Sequence, residues 1–216
     1  MPAPATSRQP GNCPWFSGRA GRALLEAERR WIVPALAVRP SRPYLWLSPV
    51  AHGGAGEPAP SRRIDLHPEG QVFSGSLRCG LPLPLPGECL GDVVLQHPDG
   101  ARLDDLLDEA ARVLVDGGRL WLCAFNRFSP FGLGARPPKA CVEPTIGWAA
   151  RLQRLGMRQV EPVSYLGPRW RPGADAGCSR NAFSLRGACV VQAEKRSPAP
   201  ASPALVQWRR GTAQAG

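Results

Sequence analysis

A chain of 216 residues is long enough for one domain with tails, and its 25 prolines and 24 glycines announce abundant irregular structure. The net charge is +10, and the excess lies after residue 126: residues 1–126 hold 13 basic and 13 acidic side chains, residues 127–216 hold 14 and 4. Seven cysteines without a C-x-x-C pair, beside only three histidines, exclude a zinc signature and argue against a disulfide framework. No nucleophile elbow and no phosphate loop ending in Gly-Lys-Ser/Thr is present, so a hydrolase or an NTPase has no support.

Residues 1–13 are proline-rich and read as a flexible N-terminus. Without an apolar leader or a run long enough to span a bilayer, the reading is a cytoplasmic protein with no membrane partner. Residues 19–33 have helical spacing. Ala20, Leu24, Ala27 and Trp31 share a face with Leu25 and Ile32 beside it, while Arg22, Glu26, Glu28, Arg29 and Arg30 form the polar surface. Pro34 closes or kinks this helix. Residues 44–47 form a first strand, bounded by Pro43 and Pro49. After it, Gly53, Gly54 and Gly56 precede Pro58 and Pro60, which leaves no room for an ordinary helix before the second strand at 63–67. The first half of the domain is therefore shortened. Residues 72–79 supply a third strand.

Residues 81–126 read as a complete strand–helix–strand unit. Val93, Val94 and Leu95 form an apolar run suited to a strand covered on both faces. Asp99 is the N-cap expected for a helix over 101–114, whose Leu103, Leu106, Leu107, Ala110 and Leu114 form the apolar stripe. Asp108 stands four residues before Arg112, the spacing of an ion pair, and Gly117-Gly118 ends the helix region. Residues 120–125 form a second covered strand, and a right-handed crossover makes the class α/β. Beyond it, residues 145–155 read as a helix and residues 157–165 as an edge or bulged strand containing Pro162. Residues 183–195 provide the last strand, with Gly187 as its bulge. A disordered tail follows a domain spanning 14–196.

One family resemblance appears at this point. Leu81-Pro82-Leu83-Pro84 before Asp92-Val93-Val94, a helix ending Ala111-Arg112-Val113-Leu114, and then Asp116-Gly117-Gly118-Arg119-Leu120 together resemble the second half of class I S-adenosylmethionine-dependent methyltransferases of the type 11 kind. Asn126-Arg127-Phe128-Ser129-Pro130-Phe131-Gly132-Leu133 is similar to the segment after the fifth strand in one bacterial branch of that family. The resemblance implies a three-layer sandwich whose mostly parallel seven-stranded sheet has the order 3-2-1-4-5-7-6, with helices on both faces. It also implies S-adenosylmethionine as cofactor, bound beyond the strand ends where the strand order reverses.

Carried onto this chain, the resemblance puts Gly53, Gly54 and Gly56 at the methionine carboxylate, in a degenerate first motif, and Asp65 at the ribose. It brings Gln96, His97, Asn126 and Arg127 to the same rim, with Arg169, Trp170 and Arg171 reaching it from the segment between the last two strands. His97 is the candidate general base because imidazole titrates near neutrality. Asn126, Arg127, Arg169, Trp170 and Arg171 are the candidates for an anionic acceptor, the guanidinium groups by bidentate pairing and the indole by stacking. Two other functions stay open: a catalytically inactive interaction module on the same fold, and a nucleic-acid-binding protein using the basic C-terminal part.

Overall fold

The computed structural model describes residues 14–39, 42–51, 62–126, 128–129, 148–169, 177–180 and 184–196. Their centre is four parallel strands. β1 (Tyr44–Leu47) lies between β2 (Arg63–Glu69) and β4 (Leu90–Gln96), and β4 pairs on its other side with β5 (Leu114–Phe125). Both flanks are antiparallel. β3 (Val72–Gly75) folds back on β2, and β9 (Ala188–Lys195) runs against β5 along its whole length. Beyond β9 come β7 (Ser164–Leu166) and then β8 (Cys178–Ser179), while β6 (Met157–Gln159) pairs with the far end of β9.

The α/β class, the three layers and the reversal of strand order between β1 and β4 thus agree with expectation. The strand count does not: among the described residues the sheet has nine strands rather than seven. The strand expected over 157–165 is interrupted at Pro162, which lacks a ladder N–H, and β8 is an addition.

The sheet carries helices on both faces. One face holds α3 (Leu103–Val113) and α4 (Trp148–Arg154), packed on Leu45, Leu47, Val93, Leu95, Leu120 and Leu122. The other is covered by α2 (Arg19–Ala37), whose Ile32 packs with Trp46, Val94, Trp121, Cys123 and Val190. α2 does not stop at Pro34. The missing proline N–H forfeits one helical bond, but Ala35 and Leu36 continue onto the same cluster and hold the last turn. Before α2 lies the single turn α1 (Pro14–Ser17).

Three local expectations are corrected within the strand–helix–strand unit. Asp99 does cap the entry, its Oδ1 accepting from the N–H of Ala101 at 3.2 Å, but the capped element is a 3-10 turn over Gly100–Arg102 that leads into α3. Gly117-Gly118 lies inside β5, which starts directly from the helix at Leu114; Gly117 has φ +72, where glycine is at ease.

Arg112 pairs with Glu109, one turn back on α3, and not with Asp108. This pair explains how Leu81–Pro86 can be irregular. The Leu83 N–H donates to Glu109 Oε1 at 2.7 Å, and Arg112 donates to the carbonyls of Leu83 and Leu85 at 3.1 and 2.9 Å. Backbone groups that the prolines keep out of a ladder are thereby satisfied.

The hydrogen bonds from Arg112 hold the Glu109 carboxyl below the usual carboxylate range, against an opposing push from burial. A depressed folded-state pKa contributes stability above the ordinary carboxylate range and loses it as pH falls through the folded value. Glu109→Gln should therefore lower the unfolding free energy by about 1–2 kcal/mol at neutral pH. Urea titrations should show that deficit shrinking as the solution is acidified.

Candidate functional site

The carboxyl ends of β1, β4 and β5 converge where the strand order reverses, the place where open α/β sheets bind ligands. Ser48 follows β1, His97 follows β4 and Asn126 follows β5, and all three are buried. α2 begins at this end and runs down the sheet to the opposite one, where Arg39 reaches Asp92 at 3.2 Å.

What fills the convergence is a polar chain centred on Glu28. Placed on the polar surface by helical spacing, Glu28 is in fact 0% exposed. Its Oε2 accepts from Gln96 Nε2 at 2.9 Å, and its Oε1 lies 2.8 Å from His97 Nε2. Gln96 Oε1 in turn accepts from the Trp46 indole N–H at 2.7 Å. A carboxylate, an amide and an imidazole at such spacing satisfy one another in a low-dielectric interior, where any one of them alone would be costly.

Two cysteines border the same region. Burial first, and the nearby Glu28 carboxylate second, push the Cys123 thiol well up and the Cys189 thiol up to about 12. Both therefore stay protonated and unreactive.

His97, expected at the rim as a general base, is thus corrected to a buried position with its side chain fully enclosed. Its backbone takes φ +44, uncommon for a residue with a Cβ, and its N–H donates to the Cys123 carbonyl at 2.9 Å. Gln96 likewise faces inward, toward α2. Over this pair lies an aromatic cluster. The Phe16 ring is 5.0 Å from that of His97 and stacks on Phe125 at 5.6 Å, while Trp15 meets Phe125 edge-on at 5.1 Å. Val50 and Ala188 complete the cluster, so Phe16 closes the mouth between the ends of β1, β4 and β5.

The remaining candidates divide. Asp65 sits in mid-strand beside Trp46, and its Oδ2 accepts from Arg63 Nε at 2.7 Å. Asn126 is a clasp. Its amide donates to the carbonyls of Ser184 and Arg186 at 2.7 and 2.9 Å, and its oxygen accepts from the Phe128 N–H at 3.1 Å. Those bonds tie β5 to the start of β9 and correct the expectation that Asn126 meets an acceptor. Arg169 is exposed at the end of the segment following β7. Gly53, Gly54, Gly56, Arg127, Trp170 and Arg171 lie outside the described residues.

Among the described residues no group of three or more His, Cys, Asp or Glu could hold a metal ion, and no helix is long and apolar enough to cross a membrane. A shallow depression of about 160 Å³ lies at the opposite end of the sheet, lined by Arg39, Arg42, Asp92, Asp116 and neighbouring backbone.

S-adenosylmethionine needs an open groove over these strand ends, with acceptors for its ribose and adenine. The described rim does not fit it in this conformation: Phe16 occupies the mouth, Gln96 and His97 are turned onto Glu28, and one Asp65 oxygen is held by Arg63.

No family model matches the chain, and no curated protein does. Solved structures do share its fold. A S-adenosylmethionine-dependent methyltransferase from Archaeoglobus fulgidus superimposes with a TM-score of 0.52 at 16% identity, covering 84% of this chain and 97% of that one. A methyltransferase from Haloferax volcanii, solved in complex with the Trm112 methyltransferase activator, gives 0.52 at 12% identity over 85% of this chain and 98% of that one. One from Thermotoga maritima gives 0.50 at 14% identity over 81% and 97%. At such identities the likeness is one of fold, and the chain has the Rossmann-like α/β fold of S-adenosylmethionine-dependent methyltransferases.

Proposed function

We propose that this protein is a S-adenosylmethionine-dependent methyltransferase acting on an acceptor still to be identified. The observation that carries the reading is the parallel centre β2-β1-β4-β5, with its order reversing between β1 and β4 and with the chain ends that follow β1, β4 and β5 meeting at one rim. The similarity in fold to three methyltransferases, each covered almost entirely, adds to it. Asp65, in mid-strand, and the glycines 53, 54 and 56 are the groups of this chain offered to the donor, and Arg127, Arg169, Trp170 and Arg171 those offered to an anionic acceptor.

A second reading has its own observation. The closed aromatic mouth and the inward pairing of Gln96 and His97 suit a protein that keeps the fold as an interaction module without the cofactor.

Isothermal titration with S-adenosylhomocysteine and S-adenosylmethionine separates the two. Saturable binding with a dissociation constant between about 1 mM and 1 μM, about −4 to −8 kcal/mol, is expected if the protein is a methyltransferase. No heat at millimolar ligand, for the intact protein and for a variant whose mouth is opened, would leave the interaction module standing.

A further inference from the structure

The mouth of the crevice is closed by very little chain. α1 is a single turn, Pro14–Ser17, and one residue, Gly18, joins it to α2. Yet Phe16 is 0% exposed, its ring meets His97 and Phe125 at the ends of β4 and β5, and it shares a cluster with Val50 and Ala188. The seat for this turn is made by Gly21 on α2. A Cβ there would stand 2.4 Å from the Phe16 Cα and 2.5 Å from the Trp15 carbonyl oxygen, so the two backbones meet directly where a side chain would be. A glycine within a helix weakens that helix, and here its position matches a close approach of chain to chain.

α2, in contrast, has an anchor of its own. Glu28 holds it to Gln96 and His97, and Arg39 holds its end to Asp92 and to the Gly117 carbonyl at 3.0 Å. The turn can therefore swing about Gly18 while the long helix stays. What it uncovers is a floor made by the ring of Phe125 and the face of His97, 4.4 Å apart at the ends of β5 and β4. Aromatic faces of this kind receive a planar heterocycle or a cationic group.

We propose that α1 is an autoinhibitory plug, seated on Gly21, that must leave the strand ends before a ligand enters the crevice. The inference rests on the methyltransferase reading and deepens it by assigning the closed conformation a regulatory role. A ligand that binds only the open form is weakened in proportion to the fraction of molecules that are open.

The test compares the full chain with Gly21→Ala, which removes the seat and favours the helix, and with Phe16→Ala, which truncates the plug and serves if the first variant is poorly folded. Amide hydrogen exchange reports residues 14–20 against residues 24–37, and calorimetric titration with S-adenosylhomocysteine reports the crevice. The expected result is exchange at least about tenfold faster over 14–20 in Gly21→Ala, unchanged protection over 24–37, and affinity at least about tenfold tighter than in the parent. Adding S-adenosylhomocysteine to the parent should also speed exchange over 14–20.

Equal affinity in parent and variant, with α1 released, overturns the plug and leaves the methyltransferase reading intact. Unchanged exchange over 14–20 in both variants overturns the plug as well. Binding by none of the proteins, with α1 released, removes the methyltransferase reading and the plug together.

Discussion

Replacing Glu28 by alanine should lower the unfolding free energy by about 3–5 kcal/mol, read as a shift of the urea midpoint at constant slope. The size follows from what the carboxylate leaves behind. Gln96 Nε2 and His97 Nε2, now bonded to Glu28 at 2.9 and 2.8 Å, would sit in a region without solvent and without that acceptor. An unmet buried polar group costs about 1–3 kcal/mol, and the change takes the short bond from two such groups at once, leaving Gln96 Nε2 only a 3.5 Å contact with the Leu25 carbonyl. Glu28→Gln is the control: its amide oxygen can still accept from Gln96, and its amide nitrogen can donate to His97 in the other tautomer. Its loss should be about 1–2 kcal/mol. Equal losses in the two variants would mean that the volume of the side chain matters and the network does not.

Trp121→Ala should cost a similar amount, about 3–5 kcal/mol, for a different reason. The indole is 1% exposed, packs edge-on against Trp31 at 5.8 Å, and fills the layer between the sheet and α2, so its removal opens a void. It also donates to Asp92 Oδ1 at 3.0 Å. Burial pushes the Asp92 carboxyl above the usual carboxylate range, and the Trp121 hydrogen bond is the largest opposing influence, followed by Arg39. Trp121→Phe keeps most of the packing but drops the donor, and so raises that carboxyl further. A raised folded-state pKa means that the contribution of the group is fully present below the ordinary carboxylate range and is lost as pH rises through the folded value. The deficit of Trp121→Phe, about 1–3 kcal/mol, should therefore grow between acidic and neutral pH in parallel urea titrations. A pH-independent deficit would show that Asp92 is indifferent to the indole.

The parts of the fold that can be read along the chain are those whose partners lie nearby or whose pattern is strong. β1 is found at its observed limits because two prolines bound four apolar residues. β4, α3 and the apolar half of β5 are found because uninterrupted apolar runs flank one amphipathic helix. Antiparallel pairing of β3 with β2 is harder, since four residues carry little periodicity.

The site is harder still. Glu28 stands in a run of Glu and Arg that looks like an ordinary solvated face, and its partners Gln96 and His97 lie 68 and 69 residues away, across the sheet. Only the docking of α2 over the strand ends turns it inward. Phe16 escapes for a related reason: one helical turn next to a proline-rich terminus has no period to detect. The one local clue is glycine inside an otherwise well-formed helix at Gly21. The family resemblance, carried by turns such as Asp116-Gly117-Gly118, marks the topology and not the chemistry of the rim.

The placement of strands also bears on edge-to-edge pairing between copies of this chain. β4 and β5 carry the most apolar segments of the sheet, and in an exposed position such runs would recruit a second copy through their open backbone groups. Both are interior, each paired on its two sides. Among the described residues the sheet ends instead in β3, four residues long, β8, two residues long, and β6, three residues long and paired with β9 alone. An approaching strand would find only a few rungs to extend at any of these borders, and the apolar runs of β4 and β5 are open to pairing only when the chain unfolds.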